Sequence, residues 1–343
     1  MRMDAAHQAR PGVLLIRAGN TILRFALGAA LASLMILALG SADGQTYPAR
    51  PIRFVVPFPA GGTPDSIARM LGAMLDQHMG VPVVVDNRSG ANGIIGAEIV
   101  RKAANDGYTF LLTTVSFIIN PSVYRKLPYD VKKDYVPVSR VAQGLGYMLL
   151  VNASVPAHTT RELIALANSR QVTYGTPGVG NGQHLITELF NLKAGTHLMH
   201  VPYKGLAPAL NALLSGEVQA MFTPPMVALP HIKSGKLRPL AFSGPARWPV
   251  MPDVPTLAEE TVPELTLRSS WQGLFAPAKT PARTVDRIAA EIRKALEAPR
   301  LVGVLEAGGF EPIGGTPAEF AKIVDVELRQ YAELARLAKI TPQ

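Results

Sequence analysis

The chain has 343 residues, of which 48% belong to the AVILMFWYC set and 17% are charged, and it has no cysteine. That length suggests about two domains with ample core, and the missing Cys excludes a disulfide scaffold, a thiolate metal site, a catalytic thiol or a lipid-bearing Cys. The formal charge of +9 comes with only 6% aromatics and no basic run interleaved with them, which argues against nucleic acid as a partner.

Part of that charge belongs to the N-terminus. Residues 1–42 hold Arg2, Arg10, Arg17 and Arg24 against Asp4, so their removal leaves a net charge of +6. Phe25–Gly40 is apolar and Gly40-Ser41-Ala42 is small, the order of a secretory signal with a cleavage site. The apolar run falls short of the ~20 residues a spanning helix needs. The expected product is a soluble, exported protein cleaved near Ala42, hence periplasmic.

From Ile52 the chain alternates short apolar runs with helical periodicity. Ile52–Val56 reads as a buried strand, and Pro57-Phe58-Pro59-Ala60-Gly61-Gly62 as a loop. Thr63 is the expected N-cap of a helix with Pro64 in its first turn. Ile67, Met70, Leu71, Met74 and Leu75 form its apolar stripe, and Gly80 ends it. Val81–Val85 is a second strand. Ile95, Ile99 and Ala103 mark a second helix, and Tyr108–Val115 a third strand. This is the grammar of a parallel sheet with crossover helices.

Pro137–Asn152 reads as a linking region, after which the pattern resumes. The expected order is helix 160–167, strand 172–174, a glycine-rich loop 176–182 and a helix carrying Leu185, Ile186, Leu189 and Phe190. Then come strand 198–203, helix 208–214, strand 218–223, helix 226–234 and strand 237–243. Residues 245–264 read as loop, 271–276 as a last strand, and 285–296 and 320–337 as helices.

Two glycine-rich loops therefore each feed a helix. Gly61-Gly62 precedes one, and Gly178 and Gly180 precede the other. First-turn amides have no intrahelical partner, the helix dipole adds positive potential there, and glycine lets a ligand reach the backbone. Each loop could be an anion socket or only a tight turn before a capped helix, and the residues alone leave both open. No phosphate loop, dinucleotide fingerprint, serine-hydrolase elbow or zincin motif occurs in the sequence. His197 and His200, three apart in a strand-like run, point to opposite faces and make a poor metal pair. His184 beside the second loop could donate to a carboxylate. Asp65 in a first turn complements the helix dipole, and Lys204 is either a solvated strand end or an anion contact. No cofactor and no metal is expected.

Several motifs occur in order: Pro57-Phe58-Pro59-Ala60-Gly61-Gly62 with Asp65, Ala68 and Arg69; Asp86-Asn87-Arg88 with Gly90-Ala91-Asn92-Gly93; Tyr174-Gly175-Thr176 with Gly178, Gly180, Gln183 and His184; His200-Val201-Pro202-Tyr203-Lys204-Gly205; and Trp271-x-Gly273-Leu274-Phe275. The set resembles that of the Bug-type receptors, the extracytoplasmic substrate-binding proteins of tripartite tricarboxylate transporters. The resemblance runs from about Tyr47 to the C-terminus. It implies an α/β fold of the two-lobed, type II-like periplasmic binding class, each lobe a mainly parallel sheet flanked by helices. Lobe 1 would be 43–146 plus 269–343, and lobe 2 147–268.

The resemblance also implies a ligand site. Phe58, Ala60, Gly61, Gly62, Thr63 and Asp65 would come from the first loop, and Thr176, Gly178, Gly180, Gln183 and His184 from the second. Ser116 and Asn120 would come from the segment after the third strand, and Tyr203 from the strand-end motif. The implied ligand is a small organic carboxylate, the implied partners are membrane permease subunits, and the chain would act as a monomer. Pro177, Asn181-Gly182, Asp86 and Ser89 depart from the family pattern, which leaves the identity of the acid open. The rival functions are an exported enzyme using His184 as acid or base, and an extracytoplasmic ligand sensor.

Overall fold

The computed structural model describes residues 47–263, 265–337 and 340. The signal-like segment and its cleavage site lie outside them. Ile52–Val56 is buried except at Arg53 and forms β1. It pairs in parallel with β2 (Val83–Asn87) and β3 (Thr109–Thr114). Between them run α1 (Thr63–Met79) and α2 (Ile94–Arg101), and α3 (Ser116–Val123) follows β3. Next come β4 (Tyr135–Gly144) and β5 (Met148–Asn152), α4 (Thr160–Ser169), β6 (Thr173–Thr176), α5 (Gly182–Ala194) and β7 (Met199–Pro202). They lead to α6 (Leu206–Ser215), β8 (Ala220–Thr223), α7 (Pro225–Lys233), β9 (Leu237–Phe242) and α8 (Leu257–Glu260). The chain ends with β10 (Trp271–Pro277), α9 (Ala282–Ala295), α10 (Pro299–Ala307), β11 (Phe310–Pro312) and α11 (Pro317–Leu337).

These strands form two sheets, ordered β11-β4-β10-β3-β1-β2 and β7-β6-β8-β5-β9. The α/β class with helix-flanked sheets is the one expected. The sheets are mixed, however, and not mainly parallel. β10 runs antiparallel to β3 and β4, and β5 runs antiparallel to β8 and β9. A strand that arrives from the other sheet has no crossover helix to return it in parallel.

The chain passes between the sheets at residues 145–147 and again after β9. Residues 137–152 are thus not a linker but parts of β4 and β5. The two passages brace each other. The Ser243 hydroxyl accepts the Tyr147 N–H at 2.8 Å and donates to the Leu267 carbonyl at 2.7 Å. Gln143 Nε2 donates to the Ser269 carbonyl at 2.7 Å. Gly144 has no room for a side chain, since a Cβ would sit 1.8 Å from Ser269 Oγ. Tyr331 on α11 packs against the cores of both sheets.

Three local expectations change. Gly62, not Thr63, is the N-cap of α1, and no side chain caps it. α2 buries Gly96, Ala97 and Val100 and leaves Ile95 48% exposed. Its small face lies on Pro57, which a Cβ at Gly96 would approach to 2.7 Å, so close packing outweighs side-chain size there. α3, α8, α10 and β11 are additional elements. They are short or, like α3 with its internal Pro121, apolar without a clear stripe.

The orientation of α2 gives a direct prediction. Val100→Ala should destabilise the fold by about 2 kcal/mol, while Ile95→Ala should cost under about 0.5 kcal/mol. Chemical denaturation of both variants checks the face.

Candidate functional site

In both sheets the parallel strands end in loops that enter helices, so helix N-termini collect at the carboxyl edges of the strands. A cavity of about 60 Å³ lies where the two edges meet. Five of the described helices point their first residues at it. Gly62, Thr63 and Pro64 come from α1, Ser116 from α3, and Asn181, Gly182 and Gln183 from α5. Leu206 and Ala207 come from α6, and Pro224, the N-cap of α7, completes the set. Asn92, Thr114, Tyr147, Ser270 and Gln272 fill the floor and sides. Among the described residues that line it, none is charged.

The first-turn amides of Thr63, Asp65, Gly182 and Gln183 have no intrahelical acceptor. Each helix adds roughly half a positive charge at its N-terminus. The cavity is thus electropositive without a cation. Its walls mix these amides with Phe58, Pro59, Pro177 and Leu206, as suits a small anion with an apolar body.

Of the residues expected at the site, Phe58, Gly62, Thr63, Ser116 and Gln183 line this cavity. The others do not, and most of them build the walls. Ala60 is exposed. Gly61 turns its N–H inward to Asp65 Oδ2 at 2.9 Å, and Arg69 Nε donates to the same oxygen at 3.1 Å. Asp65 therefore fixes the first loop. Burial pushes its carboxyl up, but the bonds from Arg69, Gly61 and Asn87 outweigh that and hold it below the ordinary carboxylate range. Asn120 is buried behind Asn92, whose Nδ2 donates to its Oδ1 at 2.9 Å. Tyr203 donates its hydroxyl to Glu217 at 2.7 Å. With Gly178 it lines an adjoining hollow of about 490 Å³, which shares Phe58, Pro59, Asn92 and Pro177 with the cavity and also holds Lys204.

The second loop is fixed from below. Asn181 Oδ1 accepts the His184 N–H at 2.9 Å, and its Nδ2 donates to the Gly178 carbonyl at 2.6 Å. The Gly180 N–H donates to His184 Nδ1 at 3.1 Å. The His184 ring stacks on His200 at 4.0 Å, and His200 stacks on Tyr174 at 4.9 Å. Thr176 Oγ1 lies 2.6 Å from His200 Nε2. Thr176, Gly180 and His184 thus support the loop instead of facing the cavity. Burial lowers the His184 imidazole to about 4. Burial and then the neighbouring His184 lower His200 to about 3. Both rings are neutral.

A sequence reading misses Tyr147, Ser270 and Gln272, which flank the passages between the sheets. Tyr147 and Ser270 meet through the Ser270 N–H donated to the Tyr147 hydroxyl, and the pairing of β10 with β3 sets Gln272 beside Thr114. Asn92 and Pro177 carry a signal, as they lie inside or between the glycine-rich motifs.

Residues 67–338 match the model of the tripartite tricarboxylate transporter family receptor. The chain belongs to that family. It is 38% identical over 314 residues to Protein BugT of Bordetella pertussis, covering 90% of this chain and 95% of BugT. It is similar to the structure of R. palustris Rpa4515 with adipate, at a TM-score of 0.84 and 36% identity over 87% of this chain and 100% of that one. The structure of the periplasmic binding protein BugD gives a TM-score of 0.82 and 30% identity, covering 87% of this chain and 100% of BugD. The protein is thus a periplasmic substrate-binding receptor and not an enzyme. His184, the one candidate acid or base, is held under a loop.

Two predictions follow from the second loop. Gly180 has φ +75°, and a Cβ there would lie 2.4 Å from Val123 Cγ2 on α3. Gly180→Ala should destabilise by about 2 kcal/mol, and with Val123→Ala the two losses should fail to add, by about 1 kcal/mol, in a double-mutant cycle. The buried histidines set a pH window. The unfolded chain protonates them near 6.5 and the folded protein only near 4 and 3. The unfolded state therefore binds more protons between those values, so this contribution to stability is complete above 6.5 and is lost as the pH falls toward 4. A melting temperature that drops across that window in wild type, and less steeply in His184→Gln, is the expected record.

Proposed function

We propose that this receptor captures a small dicarboxylate in the cavity between the two sheets, without changing it, and presents it to permease subunits of a tripartite transporter. The convergence of five helix N-termini on a cavity without charged walls carries the reading. Such a cavity attracts a carboxylate and offers nothing to neutralise a bound ammonium. The adipate held by Rpa4515 supports the dicarboxylate class. The ligand is gripped by the first-turn amides beside Gly62–Thr63 and Gly182–Gln183. Residues 43–146 with 269–343 act as one lobe and 147–268 as the other, hinged at the braced passages. Closure around the acid shapes the surface that the permease reads. The chain works as a monomer after cleavage near Ala42. Transport is favoured over sensing by the family itself.

Calorimetry on the mature protein tests this with succinate, glutarate, adipate, benzoate and aspartate. At least one dicarboxylate should bind in the micromolar range or tighter, with aspartate at least tenfold weaker. Its recovery unchanged by NMR is expected. Affinity should be level from pH 6 to 8.5, because no group facing the ligand titrates there. Failure of every acid to bind or to raise the melting temperature would overturn the proposal.

A further inference from the structure

The polar side chains around the cavity are mostly engaged within the protein. Thr114 Oγ1 accepts the Ser116 N–H at 3.2 Å, and Ser270 Oγ accepts the Val115 N–H at 3.1 Å. The Tyr147 hydroxyl accepts the Ser270 N–H at 3.1 Å. Asn181 caps α5 and Asn92 donates to Asn120. Two groups differ. Thr63 Oγ1 and Gln272 Oε1 are buried and have no hydrogen-bond partner, though each residue is only 2% exposed and lines the cavity.

A buried carbonyl without a donor costs about 1–3 kcal/mol, so its persistence calls for a ligand group that donates. A carboxylate brings no donor. An ammonium brings several, but needs an acidic neighbour, and the described residues lining the cavity include none. A neutral hydroxyl satisfies a carbonyl oxygen without adding charge, and a threonine hydroxyl can either give or take its proton. Gln272 is also well placed to be rigid. It sits inside β10, between Thr114 of β3 and Ala142 of β4, so its backbone cannot move away from the ligand.

We propose that Gln272, with Thr63, forms a neutral specificity subsite that selects carboxylates bearing a hydroxyl over unsubstituted acids of the same length. This rests on the carboxylate reading above and adds the substituent to it. Gln272 contributes the acceptor that the hydroxyl proton needs, and Thr63 a second hydrogen-bonding partner. An unsubstituted acid leaves the Gln272 carbonyl oxygen buried and unpaired, although the Thr63 hydroxyl can still donate to its carboxylate.

Matched pairs test the subsite by calorimetry: succinate against malate, and glutarate against 2-hydroxyglutarate. In wild type the hydroxy acid of at least one pair should bind about tenfold tighter or more, the worth of one well-made hydrogen bond in a buried site. Gln272→Leu, close in volume, should remove most of that preference, read as the ratio of the two affinities within each pair. Thr63→Val should narrow it by a smaller factor and serves as the second probe should Gln272→Leu fold poorly. Equal affinities within both wild-type pairs, or a preference unchanged in a folded variant of each residue, would overturn the subsite and leave the receptor reading standing. If no acid of either kind binds, the receptor reading itself fails, and the subsite with it.

Discussion

The proposed site has to hold a negative charge out of water with no charged side chain in its described lining. A buried carboxylate is costly unless hydrogen-bonded, and an arginine or lysine partner would bring a desolvation cost of its own. Helix N-termini avoid that cost. Their amides are unpaired by construction, are fixed before the ligand arrives, and carry only partial charge. Five of them around one cavity supply a potential comparable to a full cation or two, spread over a wall. A spread potential can hold an acid firmly yet release it when the wall opens.

That requirement explains the sheets. A parallel strand must be followed by a crossover, and a crossover helix begins at the strand's carboxyl edge. β1 and β3 in one sheet, and β6, β7 and β8 in the other, therefore supply the helix starts. The antiparallel strands serve a different purpose. β4, β5, β9 and β10 lead the chain between the sheets and tie the two passages together through Ser243 and Gln143. The sheets are mixed because one set of strands presents the helix N-termini and the other carries the chain between the sheets.

The first of these two roles is plain in the sequence and the second is not. Pro57–Gly62 and Thr176–Gly182 announce strand, loop and helix by composition. The residues found at the cavity from those loops, Phe58, Gly62, Thr63 and Gln183, follow from that order. Sequence alone does not separate a residue facing the ligand from one holding the loop. Asp65, Thr176, Gly180 and His184 stand as close to the motif as Gly62 does, yet they spend their hydrogen bonds inward. Tyr147 is distant in sequence from Ser270 and Gln272, and Gln272 from its β3 neighbour Thr114, so their meeting is a long-range fact that no local pattern holds. The face of α2 misleads for a related reason. Its contact with Pro57 selects glycine and alanine, so the largest side chain is turned outward.

The inward-facing groups are as much a part of the binding chemistry as the lining ones. If Asp65 did not take the Gly61 amide, or His184 the Gly180 amide, each loop would carry an extra unpaired donor and a choice of conformations. By consuming one amide apiece, they fix each loop before a ligand arrives. The partners chosen for this task differ in charge. Asp65 is an ion, and Arg69 balances it at the rim. His184 is uncharged, stacked on an equally neutral His200 and buried from water. An imidazolium under the second loop would add a titratable field to a site otherwise built from fixed dipoles, and would tie affinity to pH. Deep burial keeps both rings neutral throughout the range in which a dicarboxylate is fully ionised, so neither adds a titrating charge beside the cavity.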